Sequence, residues 1–287
     1  MRDRLYRRDP VFSFEFFPPK DEKGRETLER SLAELSRLDP AFVSVTCGAA
    51  GSTRDLTRDL VLSMQEQYDF GVMAHITATG YSRAELADLV ADYHRRGIRN
   101  FLALRGDPPR DLPDWRPPAD QAENAREVVE IIRRVAPDAC VGVAGYPEKH
   151  PQAPSLEEDL RHLGEKVAAG ADFVVTQLFF NNESYFEFVR LARSIGVKVP
   201  ILPGIMPVTR AGQVDRFKEL CGVGVPGALG DLLSVEDVVR KREAGIAYAA
   251  AQCADLLRRG AYGIHFYTLN QSRACHTLYG ILKGMGW

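Results

Sequence analysis

Val11-Phe12-Ser13-Phe14-Glu15-Phe16-Phe17-Pro18-Pro19 is the first apolar stretch of the chain. Read as a strand, it places Phe12, Phe14 and Phe16 on one face and Ser13 and Glu15 on the other. The polar face therefore carries a carboxylate near the strand's C-terminal end. The same design recurs down the chain. Strands are predicted at 11–17, 42–47, 72–78, 100–106, 140–146, 173–180, 199–205 and 263–269. In the second, Val43 and Val45 alternate with Ser44 and Thr46; in the third, Ala74 and Ile76 alternate with His75 and Thr77. In the eighth, His265 and Tyr267 stand opposite Ile264 and Phe266.

Segments with helical period fill the gaps. Ser82 and Glu85 have capping-box spacing and open a helix over 82–96, with Leu86, Leu89, Val90 and Tyr93 on its apolar face and Gly97 as its stop. Ser155 and Glu158 repeat the device for 155–169, where Leu156, Leu160, Leu163 and Val167 form the stripe and Gly170 ends it. Leu28, Leu32 and Leu35 mark the first long helix, with Pro40 after its end. Strands and helices alternating in this way predict an α/β (β/α)8 TIM barrel, with a doubly wound open sheet as the competitor. The polar residues tip the balance. Glu15, Thr46, His75, Asp107, Tyr146, Gln177 and Tyr267 fall near the ends of most strands, whereas an open sheet gathers such groups at one switch point. One domain spanning 1–287 is expected, with the proline-rich loop 108–118 at the mouth and an extra helix around 235–240.

The 287 residues are 45% hydrophobic, enough for a substantial core, and the net charge of −2 offers no field for nucleic acid or an anionic membrane. The start, Met-Arg-Asp-Arg-Leu-Tyr-Arg-Arg, has no apolar stretch behind its charges, and no run approaches a membrane span. The five cysteines, Cys47, Cys140, Cys221, Cys253 and Cys275, are scattered and form no CxxC pair, which argues against disulfides or zinc. A soluble cytoplasmic protein is expected.

Glu15 among aromatics is poorly hydrated, which predicts a raised pKa and suits a general acid. The plainer reading is a strand-end glutamate paired with an Arg or Lys. His75 reads equally as a core histidine or a functional one, and Asp107 after Leu-Arg-Gly as a site residue or a loop cap. His75, His150, His162 and His265 lack metal-ligand spacing, so no metal is expected. Gly222, Gly224 and Gly227 make a literal GxGxxG, but it follows a helical segment and contains Pro226, so it reads as a helix stop and loop. Phe217 reads as helix core.

Taken together, FSFEFFPPK (12–20), PAFVSVTCGA (40–49), AHIT (74–77), ALRGDPP (103–109), GYPEKHP (145–151), DFVVTQLFF (172–180), ILPGIMPV (201–208) and HFYTLN (265–270) resemble the methylenetetrahydrofolate reductases, and the match runs along nearly the whole chain. The resemblance implies a flavin-dependent barrel that reduces 5,10-methylenetetrahydrofolate to 5-methyltetrahydrofolate for methionine synthesis. The implied cofactor is FAD, reduced by NADH or NADPH in a ping-pong cycle, in a homo-oligomer. It makes Glu15 the catalytic acid that assists opening of the imidazolidine ring, and Asp107 a contact to both flavin and folate. Gln177, Gln213, Phe217, Tyr267 and Gln271 fall at folate positions, with Phe217 able to stack on either ligand. Thr46, Ala49, His75, Arg105, Gly106, Asp107, Ala125, Tyr146, His150, Ala153, Asp159, His162 and Lys166 fall at positions lining FAD or the nicotinamide.

The chain also departs from the pattern. Cys47 stands where a tyrosine is common, and His162 and Glu165 replace an asparagine and an arginine near the flavin phosphates. Gln271 occupies a usually basic position near the folate's glutamate tail, with Arg273 close by. Because the chain ends at Trp287, it is expected to lack the regulatory domain of eukaryotic relatives and the response to S-adenosylmethionine. The rival readings are a folate-binding barrel without catalysis and a reductase subunit reduced by a protein donor.

Overall fold

The computed structural model of the protein describes residues 1–7, 9–48, 54–109 and 114–287, apart from the side chains at 211, 215, 217, 220 and 221. After a short helix α1 (Arg2–Leu5), strand and helix alternate: β1 (Val11–Phe16), α2 (Glu22–Ser36), β2 (Phe42–Val45), α3 (Arg54–Gln67), β3 (Gly71–Thr77), α4 (Arg83–Arg95), β4 (Asn100–Leu104), α5 (Ala125–Val135), β5 (Cys140–Gly145), α6 (Leu156–Ala168), β6 (Phe173–Thr176) and α7 (Asn182–Ser194). The seventh predicted strand is two short pieces, β7 (Ile201–Leu202) and β8 (Gly204–Ile205). There follow α8 (Ala211–Cys221), α9 (Gly227–Leu233), α10 (Val238–Arg258), β9 (Gly263–Tyr267) and α11 (Ser272–Gly284).

The pairing is parallel and runs β7-β6-β5-β4-β3-β2-β1-β9-β8. Its two ends are consecutive in the chain and adjoin through Pro203, so the sheet closes into a barrel and the open-sheet alternative falls. The break has a simple cause. Proline has no N–H to give a ladder, so β7 pairs with β6 and β8 with β9, while the Pro203 carbonyl accepts the His265 N–H at 3.0 Å.

The helix boundaries follow the capping chemistry. Ser82 accepts from the Glu85 N–H at 3.2 Å, and the Glu85 carboxylate accepts the Ser82 N–H at 2.8 Å. Ser155 and Asp21 cap α6 and α2 with the side-chain bond alone, accepting the Glu158 and Gly24 N–H groups. Gly222 ends α8 at φ 66, and Pro226 precedes α9, so the literal GxGxxG is a helix stop and loop. The extra helix lies at 227–233 instead of around 235–240. Asp237 accepts the Arg240 N–H at 2.8 Å and starts α10 there, so 238–240 form the first turn of a 21-residue helix.

Strand side chains build two cores. Phe14, Phe16, Val43, Val45, Ile76 and Phe266 face outward against the helices. Phe42, Met73, Leu102, Phe173 and Leu202 fill the barrel's interior toward its N-terminal end, where Leu5 of α1 is buried against them. Each such fully buried side chain contributes about 1.5–3 kcal/mol. Asp172 locks this end: its carboxylate pairs with Arg2 at 3.0 Å and Arg133 at 2.6 Å and accepts the Val141 N–H at 2.8 Å. Among the described residues no helix is long and apolar enough to cross a membrane.

Candidate functional site

Alternation along β1 sends Ser13 and Glu15 into the barrel, and the register with β9 sets His265 beside Ser13 and Tyr267 beside Glu15. The Glu15 Oε2 lies 3.5 Å from His265 Nε2 and 3.4 Å from His75 Nε2. The other His265 nitrogen, Nδ1, is 2.8 Å from the Ser13 hydroxyl. The Glu15 side chain is 17% exposed and both imidazoles are buried. Among the described residues no Arg or Lys pairs with this carboxylate; two histidines take that place.

The electrostatics correct the expected direction. Burial pushes the Glu15 carboxyl up, but the hydrogen bond from His265 and the charges of His75 and His265 outweigh it and hold the group below the usual carboxylate range. Burial pushes the His75 imidazole down, against the pull of Glu15. His265 and Ser13 were absent from the expected site residues. Their signal was available in outline, since Ser13 is two positions before Glu15 and His265 two before Tyr267, but only the β1–β9 register joins the pairs.

Glu15 and His75 form the floor of a cavity of about 340 Å³ at the C-terminal mouth, walled by Phe17, Thr46, Tyr146, Gln177, Met206 and Tyr267. Ser44 Oγ, Thr77 Oγ1 and His75 Nε2 are buried here and in the adjoining wall beside Glu15 and Cys47, so polar side chains are concentrated at this depth of the barrel. The Gln177 Oε1 accepts the Leu178 N–H at 2.8 Å, which leaves its NH2 to meet a ligand. The Tyr267 hydroxyl donates to the Thr176 carbonyl at 2.7 Å, and Gly204 makes room for it: a Cβ there would stand 2.3 Å from that carbonyl and 2.6 Å from the tyrosine ring.

A second cavity, about 250 Å³, shares Leu104, Ala144 and Tyr146 with the first. It gathers Arg105, Ala125, Tyr146, His150, Ala153, Asp159, His162 and Lys166, eight of the expected cofactor positions. Lys166 on α6 is buried, donates to the Ala144 carbonyl at 2.6 Å, and has its pKa pushed down to about 8 by desolvation. Asp159 accepts the His150 N–H at 2.9 Å, and the His150 ring meets Tyr146 edge-on at 4.6 Å. Burial, then the Arg105 charge, lowers the His150 pKa. Glu165 also lines this cavity but is engaged by Arg161 and, at 3.4 Å, by His162.

Other expected residues lie apart from this centre. Asp107 is 73% exposed and only pairs with Arg105 at 3.6 Å, so the structure does not bring it to Glu15. Gly106 turns the chain there at φ 81, and a Cβ would press on Thr77 and Thr79 at 3.0 Å. Gln213 and Gln271 line a neighbouring groove, where the Gln213 Oε1 accepts the N–H groups of Thr209 and Arg210 at 2.9 Å. Ala49 and the side chain of Phe217 lie outside the described residues.

Comparison with known proteins identifies the family of the chain. The family profile described as methylenetetrahydrofolate reductase matches residues 1–283. The 5,10-methylenetetrahydrofolate reductase of Salmonella typhimurium is 37% identical over 280 residues, covering 95% of this chain and 92% of that one. That of Escherichia coli is 36% identical over the same shares. An Arabidopsis thaliana protein named methylenetetrahydrofolate reductase (NADH) 1 is 36% identical over 96% of this chain, which spans 48% of its length. Among solved structures, an uncharacterized Clostridium thermocellum protein that binds two copies of 5-methyl-5,6,7,8-tetrahydrofolic acid superposes with a TM-score of 0.65. It covers 99% of this chain and 98% of its own at 16% identity, a likeness of fold.

Proposed function

From the premise that the chain belongs to the methylenetetrahydrofolate reductase family, we propose that it reduces 5,10-methylenetetrahydrofolate to 5-methyltetrahydrofolate with NADH or NADPH, through bound FAD and in a ping-pong order. The observation that carries this reading is the Glu15 carboxylate held between two imidazoles at the floor of a mouth cavity.

The lining of the second cavity supports a bound cofactor with anionic groups. A buried ammonium with one carbonyl partner, Lys166, stands where an anionic group would replace its lost hydration. Arg105 adds a second cation and Tyr146 joins the two spaces, so Lys166, Arg105, Tyr146, His150 and Asp159 are the residues that would hold FAD. When bound, the flavin supplies the hydride chemistry, while the protein supplies orientation and the proton. Nicotinamide and pterin take turns in the mouth cavity of about 340 Å³, which is the physical content of the ping-pong order.

Opening the folate ring requires protonation of a leaving nitrogen. Glu15, held below the usual carboxylate range, is anionic while the mouth is open. A pterin seated over it removes the remaining water and favours the neutral carboxyl. The proton that Glu15 Oε2 then carries passes to the leaving nitrogen, while His265, aligned by the Ser13 hydroxyl, holds the carboxyl in place.

Anaerobic turnover of the FAD-loaded protein with methylenetetrahydrofolate and either NADH or NADPH tests the reading, with 5-methyltetrahydrofolate identified by chromatography. Product formation with a nicotinamide donor is expected. Product only with a reduced ferredoxin would replace the donor, and folate binding without product from any donor would leave a non-catalytic barrel.

A further inference from the structure

The last residues of β1 to pair with β9 and β2 are Glu15 and Phe16 respectively. Phe17 lies just beyond, followed by Pro18 and Pro19, which have no N–H to give. Its main chain is nevertheless bonded on both sides, and by one side chain. The Asn270 Oδ1 accepts the Phe17 N–H at 2.9 Å, and the Asn270 NH2 donates to the Phe17 carbonyl at 2.8 Å. Two residues earlier, the Thr268 hydroxyl donates to the Glu15 carbonyl at 2.6 Å and accepts the Asn270 N–H at 3.0 Å. A further tie comes from α2, where the Ser31 hydroxyl donates to the Asn270 carbonyl at 3.0 Å and accepts the Ser272 N–H at 3.1 Å. Thr268 and Asn270 are each 5% exposed, so these bonds are shielded from water. Leu269 and Asn270 take φ 50 and φ 58 in succession. A leucine is uncommon in that region and persists there only where its surroundings hold it. Leu269 and Phe17 thereby stand together on the rim shared by the mouth cavity and the neighbouring groove.

We propose that Asn270 is a positioning residue for the folate step: with Thr268 it supplies the ladder that β1 lacks at its end, and so fixes Glu15 and the Phe17–Leu269 rim. The proposal rests on the function proposed above. Glu15 Oε2 has to lie within reach of two imidazoles from different strands and of a leaving nitrogen in the mouth. The strand that carries it runs out of sheet partners within two residues of it. A misplacement of about 1 Å there is enough to cost on the order of 10²-fold in rate. Hydride transfer from nicotinamide uses no carboxylic acid and does not share that sensitivity. Asparagine suits the position twice over. It tolerates the left-handed backbone, and its planar amide offers one donor and one acceptor to the two main-chain groups of Phe17. Glycine meets the first requirement and not the second, which lets the two be tested apart.

Asn270→Gly keeps the backbone at φ 58 without strain and removes the clamp. Thr268→Val removes the hydroxyl that holds the Glu15 carbonyl, and Thr268→Ser keeps it. In stopped-flow traces of the FAD-loaded proteins, reoxidation by methylenetetrahydrofolate is expected to fall by on the order of 10²-fold in Asn270→Gly and about tenfold in Thr268→Val. Reduction by NADH or NADPH should stay within about threefold of wild type in both, and Thr268→Ser should stay within about twofold in either half-reaction. Equal losses in the two half-reactions, or a full reoxidation rate in Asn270→Gly, would overturn the proposal. A readout without turnover separates it from the catalytic reading. The ¹³C NMR signal of the Glu15 carboxyl, identified by its loss in Glu15→Gln, is expected to titrate below the ordinary carboxylate range in the folate-free wild type. In Asn270→Gly and Thr268→Val it should move back up towards that range as the carboxylate leaves the imidazoles. An unchanged titration in both variants counts against a positioning role. A shifted titration supports that role even if the wild type turns over no folate, a result that would reject only the proposed reaction.

Discussion

The two ends of this barrel are built on opposite principles. At the N-terminal end Leu5 is buried against the interior core, and Asp172 satisfies Arg2, Arg133 and the Val141 N–H at once. At the C-terminal end Glu15 is held by two imidazoles, Lys166 is a desolvated cation, and the interior opens into cavities. One end is packed and cross-linked by the chain's own side chains. The other is left incomplete in the positions that a ligand would complete, which divides stability from function along the barrel axis.

Removing Asp172 should show that division most strongly. Asp172→Ala strands two guanidinium groups and a buried N–H, a loss of about 3 kcal/mol of unfolding free energy on the scale of broken buried pairs. Urea unfolding measures it. Turnover of the fraction that remains folded should stay close to wild type; equal loss of turnover and stability would erase the contrast between the ends.

A smaller effect tests the cost of the unfinished end. The Lys166 pKa lies at about 8 in the fold against 10.5 when unperturbed. Between those values the unfolded chain keeps the proton that the folded one has lost, so stability rises with pH, by up to ~1.4 kcal/mol per unit. Below pH 8 the full penalty applies. Apo protein followed from pH 7 to 10 should show this rise, Lys166→Met should abolish it, and FAD should flatten it by holding the charged form. A flat profile in the wild-type apo protein would mean that Lys166 is well solvated.

The smallest expected change is at Glu165, which faces the same cavity but already has Arg161 and His162 for partners. Glu165→Arg should slow FAD loss on dilution by up to about fivefold, near 1 kcal/mol. An unchanged or faster rate would show that this position does not feel the phosphates.

Much of the scaffold was legible because it is local. The capping box at Ser82, the N-cap at Ser155, the alternating strand faces and the helix stop at Gly222 are each set by residues a few positions apart. The break at Pro203 was missed because the apolar run on either side reads as continuous. The helix α10 was under-read since small residues form much of its buried face. Gly245 packs so closely that a Cβ would meet the Val208 carbonyl at 1.6 Å, and such contact leaves little hydrophobic stripe to detect. At the site, the strand-end residues Glu15, Thr46, His75, Tyr146, Gln177 and Tyr267 do line one cavity. Asp107 does not, because the turn at Gly106 carries it outward into solvent. The sign of the Glu15 shift was out of reach of a local reading. It depends on imidazoles from β3 and β9, far away in sequence, and a glutamate flanked only by aromatics would have shifted the other way.

The central claim is that Glu15 serves the folate step and not the nicotinamide step. Glu15→Gln keeps the shape of the side chain but cannot deliver a proton, whereas hydride transfer from nicotinamide needs no carboxylic acid. Stopped-flow absorbance of the flavin, under anaerobic conditions, follows the two half-reactions separately. Reduction by NADH or NADPH should stay within about tenfold of wild type, ~1.4 kcal/mol in barrier, while reoxidation by methylenetetrahydrofolate should fall by ~10²–10⁴, the usual contribution of general acid catalysis. Equal loss in both half-reactions, or undiminished reoxidation, would contradict the account.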